Sequence, residues 1–196
     1  MILSDKGINQ ALKKGLIKIE PFPGISQFTS SALDLRLGRQ FFEWIPEKEI
    51  QVDDPPGLER PVIIDPSKIT DPHLLFGRCL RQLPTQPDGS YTLGRHKFVL
   101  AATLETITLP SESKLAARVE GRSTLARCGL VVHLTAPVIH AGFTGIIVLE
   151  LCNFGEHPIK LVPGHSYCQL VFEKVSGVPG IKPQTKYQSQ KGVRTR

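Results

Sequence analysis

Hydrophobic and polar positions divide this chain into a short helical start and a long β-rich body. Ile8, Leu12 and Ile17 form an apolar stripe behind Ser4 and Asp5, either of which can cap a helix, and Gly15 can end it; one helix is predicted over residues 4–14. Leu33-Asp34-Leu35-Arg36-Leu37 alternates strictly, as a strand with one buried face does, and Gly38 is expected to close it. Residues 46–66 contain five prolines and many acids and are predicted as loop, with one strand at Val62–Ile64. A second helix is predicted from Asp71 to Gln82, with Leu74, Leu75 and Leu80 on its apolar side.

From Lys97 onward the pattern is β. Strands are predicted at 97–108, 114–120, 130–134, 145–153, 158–162 and 166–173, separated by turns at Leu109-Pro110, Pro137, Gly142, Gly145 and Val162-Pro163-Gly164. Many short strands at such spacing indicate an all-β sandwich or barrel. Only Arg122–Arg127 offers a further helical turn, and neither an internal repeat nor a nucleotide-binding βαβ unit is visible. The expected organisation is one β-barrel domain over residues 1–176 and a mobile arm over 177–196, where Pro and Gly give way to polar and basic residues.

Charge sharpens the reading of that arm. The net charge is +6, and no acid follows Glu173. Lys174, Lys182, Lys186, Lys191, Arg194 and Arg196 account for the whole excess, leaving the body balanced at 18 against 18. A basic tail on a neutral body suits an anionic partner, a phosphate chain, nucleic acid or membrane surface; a solubilising tail is the alternative. Cys79, Cys128, Cys152 and Cys168 show no C-x-x-C pairing, and three lie in apolar stretches, which predicts reduced thiols and no zinc site. The start MILSDKG lacks a signal peptide, and no apolar run approaches a membrane span, so a cytoplasmic protein is expected.

The chemistry concentrates between Val119 and Phe154. In the strand GIIVLELC, Ile146, Val148, Glu150 and Cys152 share one face, and Ile147, Leu149 and Leu151 the other. Both faces are apolar, so Glu150 is expected to be at least partly buried. Burial raises a carboxyl towards the range useful for general acid–base work; a structural ion pair with a buried arginine is the other reading. Gly121-Arg122-Ser123-Thr124-Leu125-Ala126-Arg127 can present free backbone N–H groups, two hydroxyls and two guanidinium groups to phosphate oxygens, or can be an ordinary capped turn. No Walker pattern exists. Phe143, at the tip of His140-Ala141-Gly142-Phe143-Thr144-Gly145, is either core or a stacking surface for a sugar or base. His133 and His140 lack metal spacing, and the zinc-dependent deaminase signature is absent.

These segments together resemble the deoxycytidine triphosphate deaminases. The likeness runs from about His96 to Ser176, through FVLAATLETITLP, LAARVEGRSTLARCGL, VLELCNFG and LVPGHSYCQLVFE, with weaker likeness in ILSDKGI and LDLRLG. GRSTLAR followed 23 residues after its last arginine by the glutamate of VLE is its strongest mark. The resemblance implies the distorted barrel, or jelly roll, of the dUTPase-like type, assembled as a homotrimer with sites between subunits. It implies Glu150 as the catalytic glutamate, with Ser123 and Arg127 holding the attacking water and the base. Arg122, Ser123, Thr124, Leu125, Ala126 and Arg127 fall in the phosphate-binding turn. Thr135 and Ala136 would read the base edge through backbone groups, and Phe143 would pack on deoxyribose. Val148, Leu149 and Gln169 are expected near the nucleotide, and Lys186 and Gln190 on the tail that closes over the triphosphate. Magnesium would enter bound through the triphosphate, with no catalytic zinc.

Two departures matter. His140, also expected at the nucleotide, takes the place of an aspartate that activates water for phosphate cleavage in the dUTP pyrophosphatases. Residues 181–185 also lack the tyrosine that often precedes the tail lysine. The expected reaction is therefore dCTP and water giving dUTP and ammonia, in deoxypyrimidine supply. The alternatives are a bifunctional enzyme giving dUMP and a catalytically silent nucleotide-binding regulator. Neither nucleic acid nor membrane is an expected partner.

Overall fold

The computed structural model describes residues 1–46, 49, 58–59, 63–180 and 187–193, with 58–59 described by their backbone alone. The first element is α1 (Asp5–Lys13), capped by the Ser4 hydroxyl, which accepts from the Gly7 N–H at 3.3 Å. Asp5 in its first turn and Lys13 in its last both suit the helix dipole. Ile8, Ala11 and Leu12 are its buried face.

Thirteen strands follow among the described residues, interrupted by two more α-helices and three single turns of 3-10 helix. They are β1 (Lys18–Glu20), β2 (Leu33–Trp44), β3 (Leu58–Glu59), β4 (Ile63–Ile64), β5 (Leu80–Gln82), β6 (Tyr91–Leu93), β7 (Phe98–Thr108), β8 (Leu115–Gly121), β9 (Leu130–Val131), β10 (Val138–Ile139), β11 (Thr144–Asn153), β12 (Ile159–Leu161) and β13 (Ser166–Lys174). The helices are α2 (Pro72–Cys79) and α3 (Ser123–Arg127). The main sheet is antiparallel, in the order β10-β8-β13-β2-β7-β11-β9, with β1 added to β7 and β5 to β2. It curls because β2 serves both halves: residues 33–36 pair with β13, and the rest pairs with β7 and β5. A register shift between Leu37 and Phe41 bends the strand at the crossing. The result is the all-β half-barrel that the strand spacing predicts.

Gly38 therefore does not close a strand; β2 runs on to Trp44. A Cβ at Gly38 would sit 2.9 Å from the Ala102 carbonyl oxygen, so close packing of two strands, not a turn, explains the glycine. The helix expected over Asp71–Gln82 stops at Cys79, because Leu80–Gln82 pairs with β2 instead. Asp71 caps it, accepting from the His73 N–H at 2.9 Å. The strand expected at Val62–Ile64 is β4 at Ile63–Ile64, with Val62 outside the described residues. β1, β3, β6 and β10, of two or three residues each, are too short for alternation to mark them and have no counterpart among the predicted elements.

Phe41, Phe172, Leu33, Leu35, Leu149 and Leu151 are among the fully buried side chains of the core. A buried polar cluster crosses it. Glu105, fully buried, accepts from Arg36 Nε at 2.7 Å, from the Arg36 N–H at 2.9 Å and from Gln27 Nε2 at 3.2 Å. A buried carboxylate is tolerable when paired and hydrogen-bonded in this way. Cys79, Cys152 and Cys168 are buried and Cys128 is exposed; all four are free thiols. No helix among the described residues is long and apolar enough to cross a membrane.

Candidate active site

β11 lies between β7 and β9, so it is interior to the sheet. Ile147, Leu149 and Leu151 enter the core, while Ile146 and Val148 pack on a second cluster that contains Phe42, Leu80, Leu100 and Ala102. The pairing with β7 shifts between Ile146 and Val148. The Ile147 N–H at the shift donates to the Thr103 hydroxyl at 3.0 Å, and that hydroxyl donates to the Glu105 carbonyl oxygen at 2.9 Å. The bulge is thus held by a buried side chain, three residues before Glu150. Bulges of this kind often re-aim side chains at functional sites.

Glu150 faces a cavity of about 420 Å³. Its walls include Leu100, Val119, Val138, Phe143 and Val148, with His133 and His140 as polar members. Glu150 Oε2 accepts from the Leu134 N–H at 3.0 Å. Glu150 has no ion pair among the described residues, unlike the buried Glu105, whose partner Arg36 is itself partly exposed.

Residues 187–193 close one side of this cavity. The Ser189 N–H donates to the Thr144 carbonyl at 2.7 Å, the Ile146 N–H to the Gln190 carbonyl at 3.2 Å, and Gln190 Nε2 to the Ile146 carbonyl at 2.8 Å. Tyr187, Gln190 and Val193 line the space. The Tyr187 ring stacks on Phe76 of α2 at 6.5 Å and meets His73 edge-on at 5.8 Å. Burial pushes the Tyr187 hydroxyl up, and the Glu150 charge adds to that.

A second, more open cavity of about 470 Å³ lies at the start of α3. Arg122, Ser123, Thr124, Ala126 and Gln169 line it, together with Asp34. α3 begins without a side-chain cap, leaving first-turn N–H groups free of that competition. Arg122 pairs with Asp34 at 3.2 Å, and Gln169 Nε2 donates to the Gly121 carbonyl at 3.3 Å. After α3 the chain packs hard against the end of β11. Gly129 has φ +88°, and a Cβ there would overlap the Gly155 backbone; one at Gly155 would overlap the Cys128 carbonyl. The Phe154 N–H donates to the Gly129 carbonyl at 2.8 Å.

The sequence-predicted residues thus separate. Ala136, His140, Phe143, Val148 and Gln190 gather with Glu150, while Arg122, Ser123, Thr124, Ala126 and Gln169 gather around the second cavity. Leu125, Arg127 and Thr135 line neither, and Leu149 is buried in the core. Lys186 lies outside the described residues. One chain therefore does not bring Ser123 and Arg127 into the Glu150 cavity. His133, Phe76 and Tyr187 are additions from the structure. The His133 Nδ1 is buried without a hydrogen-bond partner among the described residues. An isolated histidine carries no spacing signal, and α2 meets the tail only through folding.

A family model described as dCTP deaminase-like matches residues 2–175. A Methanosphaera stadtmanae protein named dCTP deaminase, dUMP-forming, is 36% identical over 97% of this chain and 90% of its own length. A protein of the same name from Sulfurihydrogenibium sp. is 37% identical, covering 98% of this chain and 94% of its own. Among solved structures, the 2'-deoxycytidine 5'-triphosphate deaminase of Agrobacterium tumefaciens matches with a TM-score of 0.60 at 21% identity. That match covers 88% of this chain, which spans about half (48%) of the Agrobacterium chain.

Proposed function

The chain belongs to the dCTP deaminase-like family, and from that premise we propose that it hydrolyses dCTP at C4 of cytosine, releasing ammonia, and that a second water then cleaves the bond between the α- and β-phosphates, releasing dUMP and diphosphate. The observation that carries the deaminase reading is Glu150 itself, a half-buried carboxylate at a mostly apolar cavity. Such a group can move every proton the reaction needs. Glu150 takes a proton from water as its oxygen bonds to C4, and that proton goes to N3. A second proton, from the new hydroxyl, passes through the same carboxyl to the amine. The C4–N bond breaks, ammonia leaves, and the C4 carbonyl forms.

Arg122, Ser123 and Thr124 take the phosphates on this reading, and Ser123 and Arg127 hold water and base. Magnesium arrives as part of the substrate, as counter-ion of the triphosphate. The two halves of the site meet between subunits of a homotrimer, so that the α3 turn of one protomer completes the Glu150 cavity of its partner. The exposed Leu134 and Val138 beside that cavity support such an interface. The basic tail then closes over the nucleotide.

On its residues alone the chain suggests dUTP as the product before dUMP. The dUMP-forming names of relatives that match almost the whole chain favour the second. His140 keeps the dUTP reading alive, because it replaces a carboxylate; yet an imidazole is itself a competent general base near neutral pH. Product analysis separates the two. With dCTP and magnesium, dUMP with diphosphate is expected. Accumulating dUTP would make the enzyme a deaminase alone, and unchanged dCTP would reject the proposed activity.

A further inference from the structure

We propose that Asp34 is a positioning residue, holding the Arg122 guanidinium ready for the triphosphate of a nucleotide shared with the partner's Glu150 cavity; this rests on the phosphate-binding reading of the α3 turn. The geometry is a clamp from behind. Asp34 Oδ2 meets Arg122 Nη2 at 3.2 Å, and Arg122 Nη1 donates to the Ser166 carbonyl at 3.1 Å. Those two anchors come from β2 and β13, neighbouring strands of the sheet. The Asp34 side chain is 7% exposed and that of Arg122 is 43% exposed. The arginine is therefore gripped on its protein side and open on its cavity side. The aspartate backbone is fixed in turn, since Gln27 Nε2 donates to the Asp34 carbonyl at 2.9 Å and to Glu105 at 3.2 Å.

Fold stability does not explain this carboxylate. Asp34 Oδ1 is buried with no hydrogen-bond partner among the described residues. Burial pushes the Asp34 carboxyl above its usual range, and Arg122 only pulls it part of the way back. An under-satisfied buried charge is a burden on the folded state, and an uncharged residue of the same shape lightens it here because the exposed Arg122 keeps its access to water. What asparagine cannot supply is the charge that holds a flexible arginine in one orientation. Preorganisation of that kind lowers the ordering cost of binding an anion.

The test titrates inorganic tripolyphosphate into the full chain by calorimetry, for wild type, Asp34→Asn, Arg122→Ala and the double variant. Losing a charge-assisted hydrogen bond that positions the arginine should weaken binding about tenfold in Asp34→Asn. The double variant should bind no worse than Arg122→Ala, because Asp34 acts through the arginine. The melting temperature of Asp34→Asn should be equal to or above that of wild type. Undiminished affinity in Asp34→Asn, a loss that adds in full to that of Arg122→Ala, or no tripolyphosphate binding by wild type would overturn the proposal. So would a fall in stability in both Asp34→Asn and Asp34→Ser, which would make the residue structural. If the binding pattern holds while dCTP stays unchanged, Asp34 keeps its role and the deaminase reading fails.

Discussion

The cavity around Glu150 is walled by side chains of the two apolar clusters, whereas the cavity beside Arg122 is walled by polar groups mounted on an ion pair. In the first, Leu100, Val119 and Ile147 serve packing and enclosure at once. Apolar walls of this sort exclude water and strengthen whatever electrostatics remain inside. In the second, charge and hydrogen-bond donors face an open space, which suits capture of a solvated anion. On the proposed function, chemistry falls to the first cavity and binding to the second.

The largest effect should come from Glu150→Gln. Ammonia release should fall by about a thousandfold while dCTP still binds in equilibrium dialysis. Unchanged turnover would remove Glu150 from the chemistry. Next comes a test of whether the two cavities cooperate between chains. Co-expressed Glu150→Gln and Ser123→Ala, each nearly inactive alone, should recover about a quarter of wild-type activity if subunits mix at random and each site draws on two of them. No recovery would place both residues in one chain's site.

Arg122→Ala should raise KM for dCTP about tenfold and leave kcat nearly intact in initial-rate kinetics. Equal losses in both would erase the division between binding and chemistry. The smallest effect concerns pH. The folded state raises the Asp34 carboxyl, so its penalty is present above the folded-state value and is relieved as pH falls through it. Asp34→Asn should therefore be the more stable protein at neutral pH, and the gap should narrow on acidification in thermal unfolding. A gap that widens instead would mean that the carboxylate stabilises the fold.

The two cavities also differ in how far they can be read from sequence. GRSTLAR announces itself, since its donors sit within one helical turn and fold there as α3. Glu150 is visible as an acid in an apolar run, but Glu105 in ATLETITL has the same appearance. What distinguishes them is a partner. Arg36, 69 residues upstream of Glu105, becomes its neighbour only when β2 lies on β7. Local alternation placed β7, β8, β11 and β13 well, because each buries at least one face along most of its length. It failed where tertiary pairing prevailed over local pattern, at β5 after α2 and beyond Gly38 in β2. Asp34 lay in plain view within the alternating LDLRL segment, yet its role depends on an arginine that reaches it from the turn after β8.

The glycine contact between Gly129 and Gly155 has a mechanical consequence. With backbone seated on backbone, there is no side chain at the joint to flex or slip. The turn leaving α3 and the end of the strand that bears Glu150 are therefore riveted together. A displacement of the α3 turn would be handed on to the end of β11 rather than absorbed at the joint.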